Sequence, residues 1–147
     1  MVRPVKIRLG DILLQQKLIS QEQLKLALEQ QRHNGRKLGR VLTESNFVSE
    51  EMISEALSRQ LDAPYINLKH YNVNFDVVHK LPENQARRFR SLVLEDRKTS
   101  LLVGMADPSD LFAYDELSRL LGTEIDIAVV TESQLLETID RVYRRTD

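Results

Sequence analysis

The sequence predicts an α+β protein: an N-terminal four-helix lobe made of two tandem helical hairpins, followed by a small α+β lobe with about three strands. Three observations carry this reading. A 24-residue block, Arg8 to Gln31, recurs 29 positions later as Lys37 to Gln60, with apolar residues at helical spacing in both copies. After Leu61 the chain turns to short alternating Leu/Val runs separated by polar turns, the habit of strands. Residues suited to helix ends fall between the periodic segments: Ser20, Ser49 and Thr131 before helices, Gly35 and Gly122 after them.

In each copy a short segment (Leu9 to about Lys17, Leu38 to about Ser45) precedes a longer one (Gln21 to about His33, Glu50 to about Leu61). Ser20 with Gln23 forms a capping box, and Ile19 is placed to staple against Leu24. The second copy keeps the cap at Ser49 and has Met52 where the box needs Gln or Glu. Leu24 with Leu28, and Ile53 with Leu57, are expected in the core, on the faces that Gln31 and Gln60 continue.

Beyond Leu61, Pro64 to Leu68 reads as an extended connection, followed by a brief helix around Val77 and Val78. Pro82 fits the first turn of a helix running to about Phe89. Ser91 to Glu95 and Ser100 to Gly104 form a hairpin around Asp96-Arg97-Lys98. Asp110 to Leu121 is a helix, Glu124 to Val130 a strand, and Thr131 with Gln134 is a second capping box opening a helix to about Arg145. The resulting division is 1–62 for the helical lobe, 63–73 for a linker and 74–147 for the α+β lobe.

Composition narrows the function. A chain of 147 residues, 41% hydrophobic, can bury a real core. It has no cysteine, which excludes disulfides and thiolate metal sites. No stretch approaches the roughly 20 apolar residues that span a bilayer, and the charged start lacks the pattern of a signal peptide, so a cytoplasmic location is expected. The net charge of −1 conceals an asymmetry: residues 1–60 hold ten Lys/Arg against seven Asp/Glu, a balance of +3, and residues 61–147 eleven against fifteen, −4. Between Glu29 and Glu44 the only charged residues are Arg32, Arg36, Lys37 and Arg40. They form either a solvated basic loop or an anion site.

The copies share Leu9/Leu38, Gly10/Gly39, Leu13/Leu42, Ser20/Ser49, Glu22/Glu51, Ala27/Ala56, Leu28/Leu57 and Gln31/Gln60. A repeated glycine and glutamine, besides leucines, point to a ligand met twice. Arg8 and Lys37 stand at helix starts, with Arg3, Lys6, Arg36 and Arg40 nearby, where positive charge opposes the helix dipole by a few tenths of a kcal/mol. An anion there would reverse the sign, accepting from first-turn N–H groups that Gly10 and Gly39 leave approachable. The alternative role for each glycine is close helix packing. Gln31 and Gln60 are either at the wet end of their faces or partly buried with partners.

These blocks, of the form Arg-Leu-Gly-x-x-Leu, ten residues, Leu-x-x-x-Leu-x-x-Gln, separated by Arg32 to Arg36, resemble the signature of the MshEN domain. That is the N-terminal regulatory domain of MshE-like type II secretion and type IV pilus assembly ATPases. Leu81-Pro82, Met105-Ala106-Asp107-Pro108 and Val142-Tyr143 extend the resemblance over nearly the whole chain.

The resemblance implies a receptor for cyclic di-GMP, with no further cofactor and no metal. One half-site would comprise Arg8, Leu9, Gly10, Asp11 and Gln31, the other Lys37, Leu38, Gly39, Arg40 and Gln60, with apolar packing from Leu24, Leu28, Ile53 and Leu57. Asp107 is similar to the acidic residue that accepts from a guanine edge; its other reading is a loop aspartate before Pro108. The implied partners are an ATPase domain beyond residue 147 and inner-membrane secretion or pilus platform proteins. The sequence departs from the motif at Lys37, which lacks the planar fork of arginine, and at Arg40, which stands where the first copy has Asp11.

The chain fits two other classes less well. No Gly-x-x-x-x-Gly-Lys-Ser/Thr loop occurs among the five glycines, and His33, His70 and His79 show no ligand spacing, so a binding domain and not an enzyme is expected. Asp107, Asp110, Asp115 and Glu116 could imitate a metal cluster, but the last two suit a helix start. Short helical hairpins also build docking or helix-turn-helix modules. A DNA reader normally carries more positive charge, so no nucleic-acid polymer is expected.

Overall fold

The structure, a computed structural model, describes residues 8–144. Four helices form the first lobe: α1 (Leu9–Gln15), α2 (Gln21–Asn34), α3 (Leu38–Glu44) and α4 (Glu50–Leu61). The serine caps are in place. Ser20 Oγ accepts from Gln23 N at 3.1 Å while Gln23 Oε1 accepts from Ser20 N at 2.9 Å, and Ser49 Oγ accepts from Met52 N at 3.1 Å. Gly35 ends α2 in the left-handed conformation, φ 69°.

The turn inside each hairpin is also duplicated. Lys17 and Asn46, 29 positions apart, adopt φ 60° and 61°. Leu18 N donates to Leu13 O at 2.9 Å and Phe47 N to Leu42 O at 3.0 Å, the six-to-one bond that closes a helix end. Asparagine tolerates this conformation, whereas lysine pays about 1 kcal/mol for its Cβ.

The hairpins interlock: α1 packs on α4, and α3 on α2. Gln16 donates to Ala56 O at 3.1 Å and accepts from Arg59 Nε at 2.9 Å. The equivalent positions one repeat away, Ser45 and Gln30, meet at 3.3 Å, so an approximate two-fold relates the copies. Ile12/Val41, Leu13/Leu42, Ile19/Val48 and Ala27/Ala56 are buried as pairs at its centre.

The second lobe places β1 (Ser91–Asp96), β2 (Ser100–Met105) and β3 (Glu124–Val129) in the order β1-β2-β3. β1 and β2 are antiparallel, with a bulge between Val93 and Glu95; β2 and β3 are parallel, joined through α7 (Leu111–Leu121). Every residue of β2 is buried, as expected of a strand covered on both faces. The short helices α5 (Phe75–Val78) and α6 (Glu83–Phe89) and the long α8 (Glu132–Tyr143) pack along β1 or on one another. Asp110 caps α7 by accepting from Ala113 N at 3.0 Å, and Gly122 stops it at φ 68°.

Several expectations change in detail. Pro82 precedes α6 as its cap instead of lying in the first turn. α1 ends at Gln15, because the left-handed Lys17 begins the turn. The expected end of α8 near Arg145 lies outside the described residues. Thr131 Oγ1 accepts from Gln134 N at 3.4 Å, but Gln134 Oε1 accepts from Leu68 N at 3.1 Å, so only half of that capping box forms. The glutamine instead satisfies a backbone donor in the connecting segment.

That segment is part of the packing. Ile66 N donates to Val129 O at 3.0 Å and Val129 N to Pro64 O at 2.8 Å, continuing the sheet beside β3. Leu68 opens a 3-10 turn to His70 and is buried. Val129 inserts into the helical lobe's core with Leu61 and Ala63, joining the two cores at this point.

Candidate functional site

The residues shared by the copies converge at the starts of α1 and α3. Arg8 and Lys37 occupy the cap positions in extended conformation, and neither offers a side-chain acceptor, in contrast to the serines before α2 and α4. The first turns of α1 and α3 therefore have no side-chain cap for their amides. Each helix has only seven residues, so attraction for an anion rests on these amides and on the basic side chains more than on a summed dipole.

The glycines sit at the contact between copies. A Cβ at Gly10 would lie 2.8 Å from Leu24 Cδ1 and 3.4 Å from Leu38 Cδ2; one at Gly39 would lie 3.3 Å from Leu9 Cδ2 and 3.7 Å from Ile53 Cδ1. Each glycine thus faces the long helix of its own copy and the leading leucine of the other. Close packing is realised at both, and the atoms they meet are mobile ends of leucine and isoleucine side chains. The two-fold places Leu9, Gly10 and Leu24 opposite Leu38, Gly39 and Ile53.

The rest of the predicted set is less symmetric. Leu24 and Ile53 are half-buried, but Leu28 is 39% exposed where Leu57 is 8%. The expectation that Leu28 belongs to the core is therefore corrected. α4 packs against β3, and Val129 joins the apolar cluster around Leu57, while α2 makes its main packing contact with α3 alone. Gln31 is half-buried and Gln60 exposed. Among the described residues, neither amide, nor Arg8 nor Asp11, forms a side-chain hydrogen bond or ion pair. Arg3 and Lys6 lie outside the described residues.

The basic side chains of the second copy have acidic neighbours. Glu44 accepts from Arg36 Nη1 at 2.5 Å and from Arg40 Nε at 3.3 Å. The Arg36 hydrogen bond is the main reason that the Glu44 carboxyl lies below the usual glutamate range; Arg40 adds to this, and partial desolvation opposes it. Lys37 Nζ is 4.0 Å from Asp107 Oδ2, across the lobes, with the lysine side chain 86% exposed. Asp107 Oδ1 accepts from Ser109 N at 3.2 Å and Ser109 Oγ at 2.6 Å. Asp107 therefore serves its own loop with one oxygen and approaches the second copy with the other.

Sequence reasoning missed Glu44 and the contact between Glu50 and Ser133. The Glu50 carboxylate, at the start of α4, accepts from Ser133 N at 3.3 Å and from the Ser133 hydroxyl, so the helical lobe caps α8. A spacing of 83 residues left no local signal for that pair. Glu44 did carry one, since it lies four residues after Arg40 and eight after Arg36. Among the described residues no helix is long and apolar enough to cross a membrane, and no group of three or more His, Asp or Glu could hold a metal ion.

The chain is similar to known proteins over both lobes. The MshEN domain family matches residues 61–147, the connecting segment and the α+β lobe. Over 136 residues, 92% of this chain, it is 36% identical to the type IV pilus assembly ATPase PilB of Myxococcus xanthus (strain DK1622), covering 24% of that protein. Bacteriophage adsorption protein B of Escherichia coli (strain K12) is 26% identical over 137 residues, 93% of this chain and 18% of that protein. The chain thus spans about a quarter or less of the length of these relatives. A solved structure of MshE with cyclic di-GMP superposes with a TM-score of 0.83 at 38% identity, covering 94% of this chain and 100% of that chain. With the family match on the second lobe and the likeness to MshE extending across the tandem copies, this chain belongs to the MshEN domain family.

Proposed function

We propose that this chain is a cyclic di-GMP receptor domain that regulates a secretion or pilus-extension ATPase. The observation that carries the proposal is the two-fold arrangement of Leu9-Gly10 and Leu38-Gly39. Cyclic di-GMP has two phosphates and two guanines related by a pseudo-two-fold, and a tandem repeat supplies two matching half-sites. MshE, solved with cyclic di-GMP, covers both copies and supports the choice of ligand.

In this reading Arg8, Gly10 and the α1 amides hold one phosphate, and Lys37, Gly39 and the α3 amides the other. Asp11 and Arg40 distinguish the two halves. Gln31 and Gln60 offer amides to phosphate or guanine, and Leu24, Leu28, Ile53 and Leu57 provide apolar contact, with Leu28 freer to reach a base than Leu57. Asp107 accepts from a guanine edge and draws the second lobe toward the helices, exchanging its approach to Lys37 for the ligand. The ligand tightens the two hairpins on each other, and the change in the domain's shape is passed to an ATPase domain of the same protein. That parent protein works in the cytoplasm, against inner-membrane secretion or pilus platform proteins.

A micromolar complex requires about 8 kcal/mol. A few charge-assisted bonds of roughly 1.5–3 kcal/mol each, with leucine burial, reach that after association costs. Calorimetric titration with cyclic di-GMP, beside GTP, ATP and linear pGpG, tests the proposal. Saturable heat from cyclic di-GMP at tens of micromolar protein, exceeding the response to the controls, is expected; equal or absent signals for all four nucleotides would defeat it.

A further inference from the structure

We propose that Glu44 is a built-in competitor for the anionic ligand: its carboxylate occupies Arg36 and Arg40, the guanidinium groups that the second copy would otherwise turn toward a phosphate. This rests on the receptor reading above and adds a residue that sets the strength of one half of the site. Arg36 Nη1 and Arg40 Nε engage separate oxygens of Glu44, at 2.5 and 3.3 Å, so one carboxylate holds both cations. All three side chains remain partly exposed, between 44% and 66%, and are accessible to a ligand from solvent.

The repeat isolates the effect. The position equivalent to Glu44 in the first copy is Gln15, which has no charge, and the position equivalent to Arg40 is Asp11. Only the second copy pairs its first-turn cation with an acid one helical turn later. Glu44 is ionised at neutral pH as an ordinary glutamate is, and the Arg36 hydrogen bond, with Arg40 adding to it, lowers its carboxyl further. An arriving phosphate must displace this carboxylate, so binding at the second copy is weakened by its presence and responds more gently to salt than its basic residues would suggest.

The test titrates the whole chain with cyclic di-GMP at two salt concentrations, as wild type, Glu44→Gln, Glu44→Asp and Arg40→Ala/Glu44→Gln. Glu44→Gln is expected to bind about 2- to 5-fold tighter, the scale of an exposed ion pair, with a steeper salt dependence. Glu44→Asp should stay near wild type if it keeps the pairing, and the double variant should lose the gain. An affinity unchanged or lowered by Glu44→Gln while the wild type binds overturns the competitor role and leaves the receptor reading standing.

A parallel titration with inorganic pyrophosphate separates the two ideas. If cyclic di-GMP is silent on every variant but pyrophosphate binds Glu44→Gln more tightly than wild type, the receptor reading falls and the masking of the arginines stands. If neither anion distinguishes the variants, the competitor role falls. Should Glu44→Gln fail to fold, the Arg40 Nε–H resonance of the wild type decides: a shift on saturation with either anion supports displacement of Glu44, and an unmoved signal contradicts it.

Discussion

The two copies of the repeat bury the same positions between them, Ile12 with Val41, Leu13 with Leu42 and Ala27 with Ala56, but present different faces to their surroundings. Leu57 is sealed in the cluster that receives Val129 from the second lobe, whereas Leu28 stands 39% exposed. Glu50 reaches α8, while Gln21, its equivalent, has no side-chain hydrogen bond to that lobe among the described residues. Duplication dictates how the copies hold each other. What lies beside each copy decides how much of its surface stays exposed, and among the described residues the first copy is the more open and the second is docked.

The largest expected effect tests that difference directly. Leu57→Ala should lower unfolding free energy by about 2–4 kcal/mol and Leu28→Ala by less than about 1 kcal/mol, measured by urea denaturation. Equal losses would mean that α2 is as well covered as α4. The glycines provide the next test. Gly10→Ala must push Leu24 aside from a 2.8 Å contact and is expected to cost about 1 kcal/mol net of the helix propensity gained; Gly39→Ala, at 3.3 Å from Leu9, should be close to neutral. Thermal melts that reverse this order would break the account of the contact between copies. Smallest is the pair across the lobes: Asp107→Asn should change stability by under about 0.5 kcal/mol, vanishing in high salt, because both Lys37 and Asp107 are well exposed. A larger loss would make that pair a structural link instead of an available one.

Much of this was legible in the chain because the relevant physics is local. Ser20, Ser49, Gly35, Gly122 and the alternating runs around Asp96 act within a few residues, and each appears where expected. Lys17 shows the limit: nothing in a lysine announces a positive φ, and only its structural match to Asn46 reveals the duplicated turn. Gln134 has the spacing of a capping residue, yet its side chain serves Leu68, because an amide donor in the connecting segment needs a partner that only the tertiary fold supplies. Within the candidate site, the repeat announced Gly10 and Gly39 together. The different burial of Leu28 and Leu57, which hold the same place in the repeat, goes with the packing of Val129, 72 residues beyond Leu57, into the cluster around Leu57.

The central claim is that the copies form two halves of one site for cyclic di-GMP. It is tested most directly by titrating Arg8→Ala and Lys37→Ala against the wild type in the calorimeter. The account predicts one ligand per chain and a loss of affinity from both substitutions, about ten-fold or more for each charge-assisted contact removed, with unchanged thermal stability. Wild-type affinity retained in both variants, or two independent ligands per chain, would contradict it.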